Sequence, residues 1–193
     1  VRSKGAAKSI LGLAWENQVV VCVAWLGGLK RIDVLLQAIA LLRPKRPSLR
    51  CLIVGGGPLA DALLVQRDTL GLSNEVVFTG HHEDVRPFLE AGDVYVSTSE
   101  REGFGLALVE AMAFELPCVA TNIGGHDEIL SRPGTGVLVA PGDAEGVATQ
   151  IEYLLDQPAE SKAMGVAARG EVEARFNIDR MVAQLLDVLL GEK

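Results

Sequence analysis

Asp93-Val94-Tyr95-Val96-Ser97-Thr98-Ser99-Glu100-Arg101-Glu102-Gly103-Phe104-Gly105-Leu106-Ala107-Leu108-Val109-Glu110-Ala111-Met112-Ala113 is the stretch whose reading decides the fold. Its first five residues form an apolar, β-branched run, its middle is polar and glycine-bearing, and its end is apolar at helical spacing. That succession is strand, loop, helix, and the same succession recurs along the chain. Upstream, Val19–Ala24, Leu49–Val54 and Glu75–Thr79 read as strands. Downstream, Pro117–Thr121 and Gly136–Val139 do so. Helical patterns separate them, including Ile32, Leu35, Leu36, Ile39 and Leu42 before Pro44, about 59–70, and Val85–Ala91. Leu106–Phe114 reads as the helix after the decisive loop and Asp127–Leu130 as a helical turn. Helices over 144–156, 159–175 and 178–190 close the chain. The strand runs are continuous rather than alternating, as strands covered on both faces require. The pattern predicts an α/β, Rossmann-like three-layer domain on a six-stranded parallel sheet.

The chain has 193 residues, 49% apolar and 22% charged, with formal charge -7. That is enough for one substantial core, and residues 1–9 have linker-like composition, so the domain is expected over 10–193. The negative balance argues against nucleic acid as a partner. No apolar run reaches the ~20 residues of a membrane span, and the N-terminus lacks a basic, apolar, small-residue leader, which points to a cytoplasmic protein. Cys22, Cys51 and Cys118 lie in or beside strands, far apart in sequence, and read as buried free thiols.

In open parallel sheets ligands bind beyond the carboxyl ends of the strands. There, Gly103 and Gly105 flank Phe104 at a helix start, where backbone amides and the helix dipole favour a phosphate; a tight strand-to-helix turn is the plainer alternative. Glu110 sits on an apolar helical stripe with no cation three or four positions away, so its carboxylate needs a partner from elsewhere, either a distant Arg or amide, or the hydroxyls of a sugar. Glu102 and Glu110, eight positions apart, bracket that helix start, an arrangement suited to a phosphate flanked by two sets of hydroxyls.

Glu102-Gly-Phe-Gly-Leu-Ala-Leu-Val-Glu110 resembles the Glu-x7-Glu run of the retaining glycosyltransferases of GT-B fold known as group 1 or family 4. Further segments resemble that family in the same order: Leu52-Ile-Val-Gly-Gly-Gly-Pro58, Val77-Phe-Thr-Gly80, Ala91-Gly-Asp-Val-Tyr-Val-Ser97, Leu116-Pro-Cys-Val-Ala-Thr121, Gly124-Gly-His-Asp-Glu128 and Gly136-Val-Leu-Val-Ala-Pro-Gly-Asp143. The resemblance implies the C-terminal, donor-binding half of a GT-B enzyme, taking a nucleoside-diphosphate sugar. It implies Glu110 on the ribose, Glu102 on the transferred sugar and Lys30 on the diphosphate. Gly103, Phe104, Gly105 and Leu106 would supply amides to the phosphates, and His82 and Asp84 would line the nucleobase pocket. It also implies an N-terminal acceptor-binding domain or subunit that this chain lacks, through which any peripheral membrane contact would run.

Two departures from the family pattern stand out: Trp25 occupies a position where an arginine usually holds phosphate, and Arg31 one where glycine is usual. No Asp-x-Asp occurs, which disfavours a metal-bridged diphosphate, so no metal or other cofactor is expected. Two alternatives remain at this level. A non-catalytic nucleotide-sugar binding module is one. A dinucleotide-dependent oxidoreductase, prompted by Gly55-Gly56-Gly57, is weaker, because no Gly-x-Gly-x-x-Gly follows the first strand.

Overall fold

The computed structural model describes residues 2–176. Its elements, in chain order, are α1 Lys4–Ile10, β1 Gln18–Val23, a 3-10 turn Gly28–Lys30, α2 Ile32–Leu42, β2 Leu49–Val54, α3 Ala60–Thr69, β3 Val76–Gly80, α4 Arg86–Ala91, β4 Val94–Ser97, α5 Leu106–Ala113, β5 Cys118–Thr121, α6 Gly124–Ile129, β6 Val137–Val139, α7 Ala144–Asp156 and α8 Pro158–Arg175. All five strand pairings are parallel, in the order β3-β2-β1-β4-β5-β6. The six expected strands are present within a residue or two of their predicted ends. The helix expected over 178–190 lies outside the described residues.

Side chains alternate across the sheet and build two cores, one on each face. Val20, Cys22, Cys51, Ile53, Val94, Val96 and Val119 meet α2, α3 and α7 on one side. Val19, Val21, Leu52, Val54, Tyr95, Cys118 and Ala120 meet α4, α5, α6 and α8 on the other. This double cover explains the unbroken apolar strands: β1, β2, β4 and β5 are covered on both faces, while the edge strand β3 is partly exposed at Val77. All three cysteines are free and buried, and burial pushes the Cys22 thiol up to about 12. Among the described residues, no helix is long and apolar enough to cross a membrane.

The segment expected to be linker is instead largely helical. Ser3 caps α1 by accepting from the Ala6 amide, and α1 packs on α4. Lys8 is buried, donating to the Asn17 carbonyl at 2.6 Å and to Asp93 at 3.1 Å. Asp93 in turn accepts from the Val19 amide at the start of β1. A lysine with a specific buried acceptor ties this helix to the sheet, which composition alone does not reveal. The signal available in the sequence was Ser3 ahead of a run rich in Ala and Lys.

Glu115, after α5, is in the left-handed region at φ 58, where a side chain is strained. Its carboxylate pairs with Arg169 at 3.3 Å, an exposed contact of small value. Replacing Glu115 by glycine is therefore expected to raise stability by about 0.5–1 kcal/mol. Thermal unfolding would register this as an upward shift of roughly 1–4 °C.

Candidate functional site

The order of the strands reverses direction between β1 and β4: β2 and β3 extend one way, β5 and β6 the other. The helices that follow adjacent β1 and β4, α2 and α5, pack on opposite faces of the sheet, which leaves a crevice at its carboxyl edge. A cavity of about 540 Å3 lies at this point. It is lined by Trp25 and Lys30 after β1, Gly55 and Gly56 after β2, His81 and His82 after β3, Ser97 to Ser99, Glu102, and Phe104 to Leu108 after β4, with His126 from α6.

Backbone contacts lock the converging loops together. The Leu26 amide donates to Gly56 O at 2.9 Å, the Leu59 amide to Leu26 O at 3.0 Å, and the Glu100 amide to Leu29 O at 2.8 Å. Thr98 Oγ1 donates to the Lys30 and Arg31 carbonyls at 3.0 and 2.9 Å. A Cβ on Gly55 would come within 1.9 Å of Ala24 O, and one on Gly57 within 2.6 Å of Leu26 O. These glycines are thus required by close passage of the β1 and β2 loops. They offer no support for a dinucleotide fingerprint.

Lys30 and Glu102 meet in an ion pair across the cavity. The Ser99 hydroxyl donates to the same Glu102 oxygen at 2.7 Å. Burial disfavours the Glu102 carboxylate, but the bonds from Lys30 and Ser99 outweigh it and hold the group below its ordinary range. The loop from Glu102 to Phe104 rests on the first turn of α6, where a Cβ on Gly125 would sit 3.2 Å from Glu102 Cβ and from Phe104 O. Phe104 is also edge-on to Phe176, with ring centroids 5.5 Å apart.

Gly105 begins α5 at φ 98, and no side chain caps the helix. The Leu106 and Ala107 amides, in the first turn, have no intrahelical acceptor, and both residues line the cavity. One helical turn beyond Leu106, on the same face, stands Glu110. It is exposed and lies beside the cavity rather than in its lining. Among the described residues no donor reaches its carboxylate, and partial desolvation pushes its pKa up. A carboxylate with spare acceptor capacity next to uncapped amides is suited to a ligand that carries both an anion and hydroxyls.

The expected site residues are distributed as follows. Lys30, His82, Glu102, Phe104, Gly105 and Leu106 share the cavity, while Gly103 lies just outside its lining. His82 donates through Nε2 to Thr79 O at 3.0 Å, and its ring leans on Phe88. Asp84 is not in the lining. It accepts from both the side chain and the amide of Arg86 at the start of α4, and these bonds lower its pKa to about 2. Its carboxylate is thereby committed to holding that turn.

Arg31, which could have supplied the charge that Trp25 lacks, turns away: its guanidinium is engaged by Asp33 at 3.0 Å, and it is absent from the lining. Its backbone is left-handed at φ 46, at the entry to α2, which accounts for glycine being favoured at this point. Trp25 remains 65% exposed at the mouth of the cavity. Residues not singled out from sequence include His126, which is 1% exposed, and the Ser97, Ser99 and Thr121 hydroxyls around it. Their only signal was polarity at strand ends otherwise made of apolar residues. Among the described residues no cluster of His, Cys, Asp or Glu could hold a metal ion.

Comparison with known proteins agrees with this geometry. Residues 4–171 match the family described as glycosyl transferases group 1. The N-acetyl-alpha-D-glucosaminyl L-malate synthase of Bacillus anthracis is 32% identical over 190 residues, which cover 96% of this chain and 50% of that protein. A GDP-mannose-dependent monoacylated alpha-(1-6)-phosphatidylinositol monomannoside mannosyltransferase of Corynebacterium glutamicum is 30% identical over 198 aligned positions, covering 98% of this chain and 51% of that one. Among solved structures, Anabaena HepE in complex with UDP superimposes with a TM-score of 0.90 at 27% identity, covering 97% of this chain and 52% of that chain. The chain spans about half the length of these relatives.

Proposed function

Because the chain belongs to the group 1 glycosyl transferases, with the fold of one half of a GT-B structure, we propose that it is the nucleotide-sugar-binding half of a retaining glycosyltransferase. The observation that carries this reading is the cavity at the β1/β4 reversal, where the paired Lys30 and Glu102 meet the uncapped start of α5, with Glu110, which has no donor among the described residues, one helical turn beyond.

Each residue has a physical reason for its part. The diphosphate of the donor lies against the Gly105, Leu106 and Ala107 amides, with the Lys30 ammonium taking charge that develops on the leaving group. Glu110 accepts from the ribose hydroxyls, and Glu102 from hydroxyls of the transferred sugar. His82 and the segment after β3 border the base. Asp84 shapes that segment through Arg86 without touching the ligand. Departure of a phosphate from an oxocarbenium-like sugar needs placement and charge stabilisation above all, and this cavity supplies both without a metal. The acceptor is held by a second domain or subunit facing the cavity, whose rim carries the exposed Trp25, Leu29 and Leu106. UDP and GDP are the leading donor bases, since a UDP complex and a GDP-mannose-dependent enzyme are among the similar proteins.

Calorimetry of the chain against UDP, GDP and ADP tests the reading. At least one should bind, and chelation with EDTA should leave the affinity unchanged. Glu110→Ala should weaken the nucleoside diphosphate about 10-fold, the equivalent of ~1.4 kcal/mol for lost hydrogen bonds to a charged acceptor. Inorganic pyrophosphate, which has no ribose, should bind wild type and variant alike. Equal nucleotide affinity in the two proteins would remove the ribose assignment. Glu102→Ala should chiefly erase discrimination between sugar donors.

A further inference from the structure

Beneath the start of α5, His126 is buried with its ring against Gly105, where an added Cβ would lie 3.4 Å from His126 Cδ2. Its hydrogen-bond partners fix its proton count. Nδ1 lies 3.0 Å from the Thr121 carbonyl, which can only accept, so Nδ1 carries a proton. Nε2 lies 3.2 Å from Ser97 Oγ. Ser97 Oγ is 3.5 Å from Ser99 Oγ, and Ser99 donates to Glu102. Thr121 Oγ1, the remaining hydroxyl at the ring, donates to the Ser99 carbonyl.

With His126 neutral, Nε2 is a bare acceptor and takes the single Ser97 proton. The Ser99 proton is already on Glu102. No hydrogen is then left for the Ser97–Ser99 link, and the chain is broken in the middle. A proton added to Nε2 reverses Ser97: Nε2–H donates to Ser97, Ser97 to Ser99 and Ser99 to Glu102. The row then runs unbroken from imidazolium to carboxylate.

We propose that His126 is a positioning residue of the donor site, taking one proton from solvent at Nε2 as the diphosphate binds and so completing the Ser97–Ser99 relay that fixes the Glu102 carboxylate. The proposal rests on the donor-binding reading above. Among the described residues two charged side chains face the ring, Glu102 and Lys30, and they form a neutral pair. In the free protein that pair gives little help to an imidazolium, and burial lowers the pKa of His126 despite the Thr121 bond. A diphosphate at the start of α5 adds two or more negative charges beside the ring and competes with Glu102 for Lys30. Both changes favour the imidazolium.

The experiment is calorimetry of UDP and GDP at pH 7 in buffers of different ionisation enthalpy, with the His126 side chain followed by NMR titration in wild type. Net proton uptake on binding is expected, with the apparent pKa of His126 rising by at least one unit. His126→Gln, which can keep the Thr121 and Ser97 contacts, should bind nucleotide without that uptake. Ser97→Ala, which removes the acceptor of the new Nε2–H, should reduce the uptake and lose sugar discrimination. Nucleotide binding with no uptake and an unmoved His126 resonance overturns the proposal while leaving the donor site intact. Uptake that persists in His126→Gln assigns the proton elsewhere, for instance to His81 or His82, and equally overturns it. Failure of every nucleoside diphosphate to bind overturns the donor reading, and this proposal with it.

Discussion

Lys30→Met is expected to weaken binding of the nucleoside diphosphate about 50-fold. Methionine keeps most of the apolar stem of lysine and removes the ammonium, its charge and its donors together. Hydrogen bonds to charged groups contribute about 1.5–3 kcal/mol each, which corresponds to a loss of roughly 10- to 150-fold. Among the described residues lining the cavity, Lys30 is the one lysine or arginine; Arg31 is held by Asp33 and Trp25 is uncharged. The variant has a second consequence. Glu102 loses its ion-pair partner and keeps only Ser99, so an uncompensated carboxylate faces the incoming phosphates. Adding Glu102→Gln should then recover about five-fold of the lost affinity, as removal of one repulsive charge at short range requires. Titration calorimetry of the single and double variants measures both numbers, and an unchanged affinity in Lys30→Met would remove this lysine from the diphosphate site.

The same pair sets a pH dependence. Glu102 has a folded pKa below the 4.5 of an unperturbed glutamate. Its contribution to stability is therefore complete above that value and lost as the pH falls through the folded value. Stability measured between pH 3 and 6 should be flatter in Lys30→Met than in wild type.

Gly55→Ala is expected to lower stability by roughly 3–5 kcal/mol, the range of strained backbone combined with overpacking. Two effects add at this residue. Its φ of 140 is one that only glycine adopts comfortably, and the new methyl would lie 1.9 Å from a backbone oxygen of Ala24. Neither loop can yield cheaply, because Ala24 and Leu26 are hydrogen-bonded to Val54 and Gly56. For a domain of this size the loss corresponds to a fall of about 10 °C in unfolding temperature. Gly56→Ala is the control: its nearest neighbour would be His81 Cβ at 3.8 Å, and it should be tolerated. Similar melting curves for the two variants would contradict the close passage of these loops.

The strands were legible because most are buried on both faces and so carry an unbroken apolar run, and the helices because their buried stripes keep a regular period. Lys4–Ile10 was not, since its anchoring depends on Lys8 finding Asp93 some eighty positions away. Glu110 could be singled out because a carboxylate on an apolar helical stripe demands a partner, and Glu102 because it brackets the same helix start eight positions earlier. Their separate roles came only from the family resemblance, and the residues themselves do not reveal that Glu102 is paired with Lys30 while Glu110 has no donor among the described residues. Asp84 drew attention through its place after the third strand, yet Arg86, two positions on, takes its charge. His126 entered only within Gly124-Gly-His-Asp-Glu128 and drew no role of its own, because a lone histidine on a short helical turn does not name its partners. Only the fold brings Ser97, Ser99 and Thr121 to its ring.

The central claim is that a donor's diphosphate lies against the start of α5, between Glu102 and Glu110. A crystal structure of the chain with whichever of UDP and GDP binds more tightly tests it most directly. The predicted result has phosphate oxygens within hydrogen-bond distance of the Leu106 and Ala107 amides and of Lys30 Nζ, with both ribose hydroxyls on Glu110. A diphosphate bound away from the start of α5, with Glu110 still free of any hydroxyl, would contradict it.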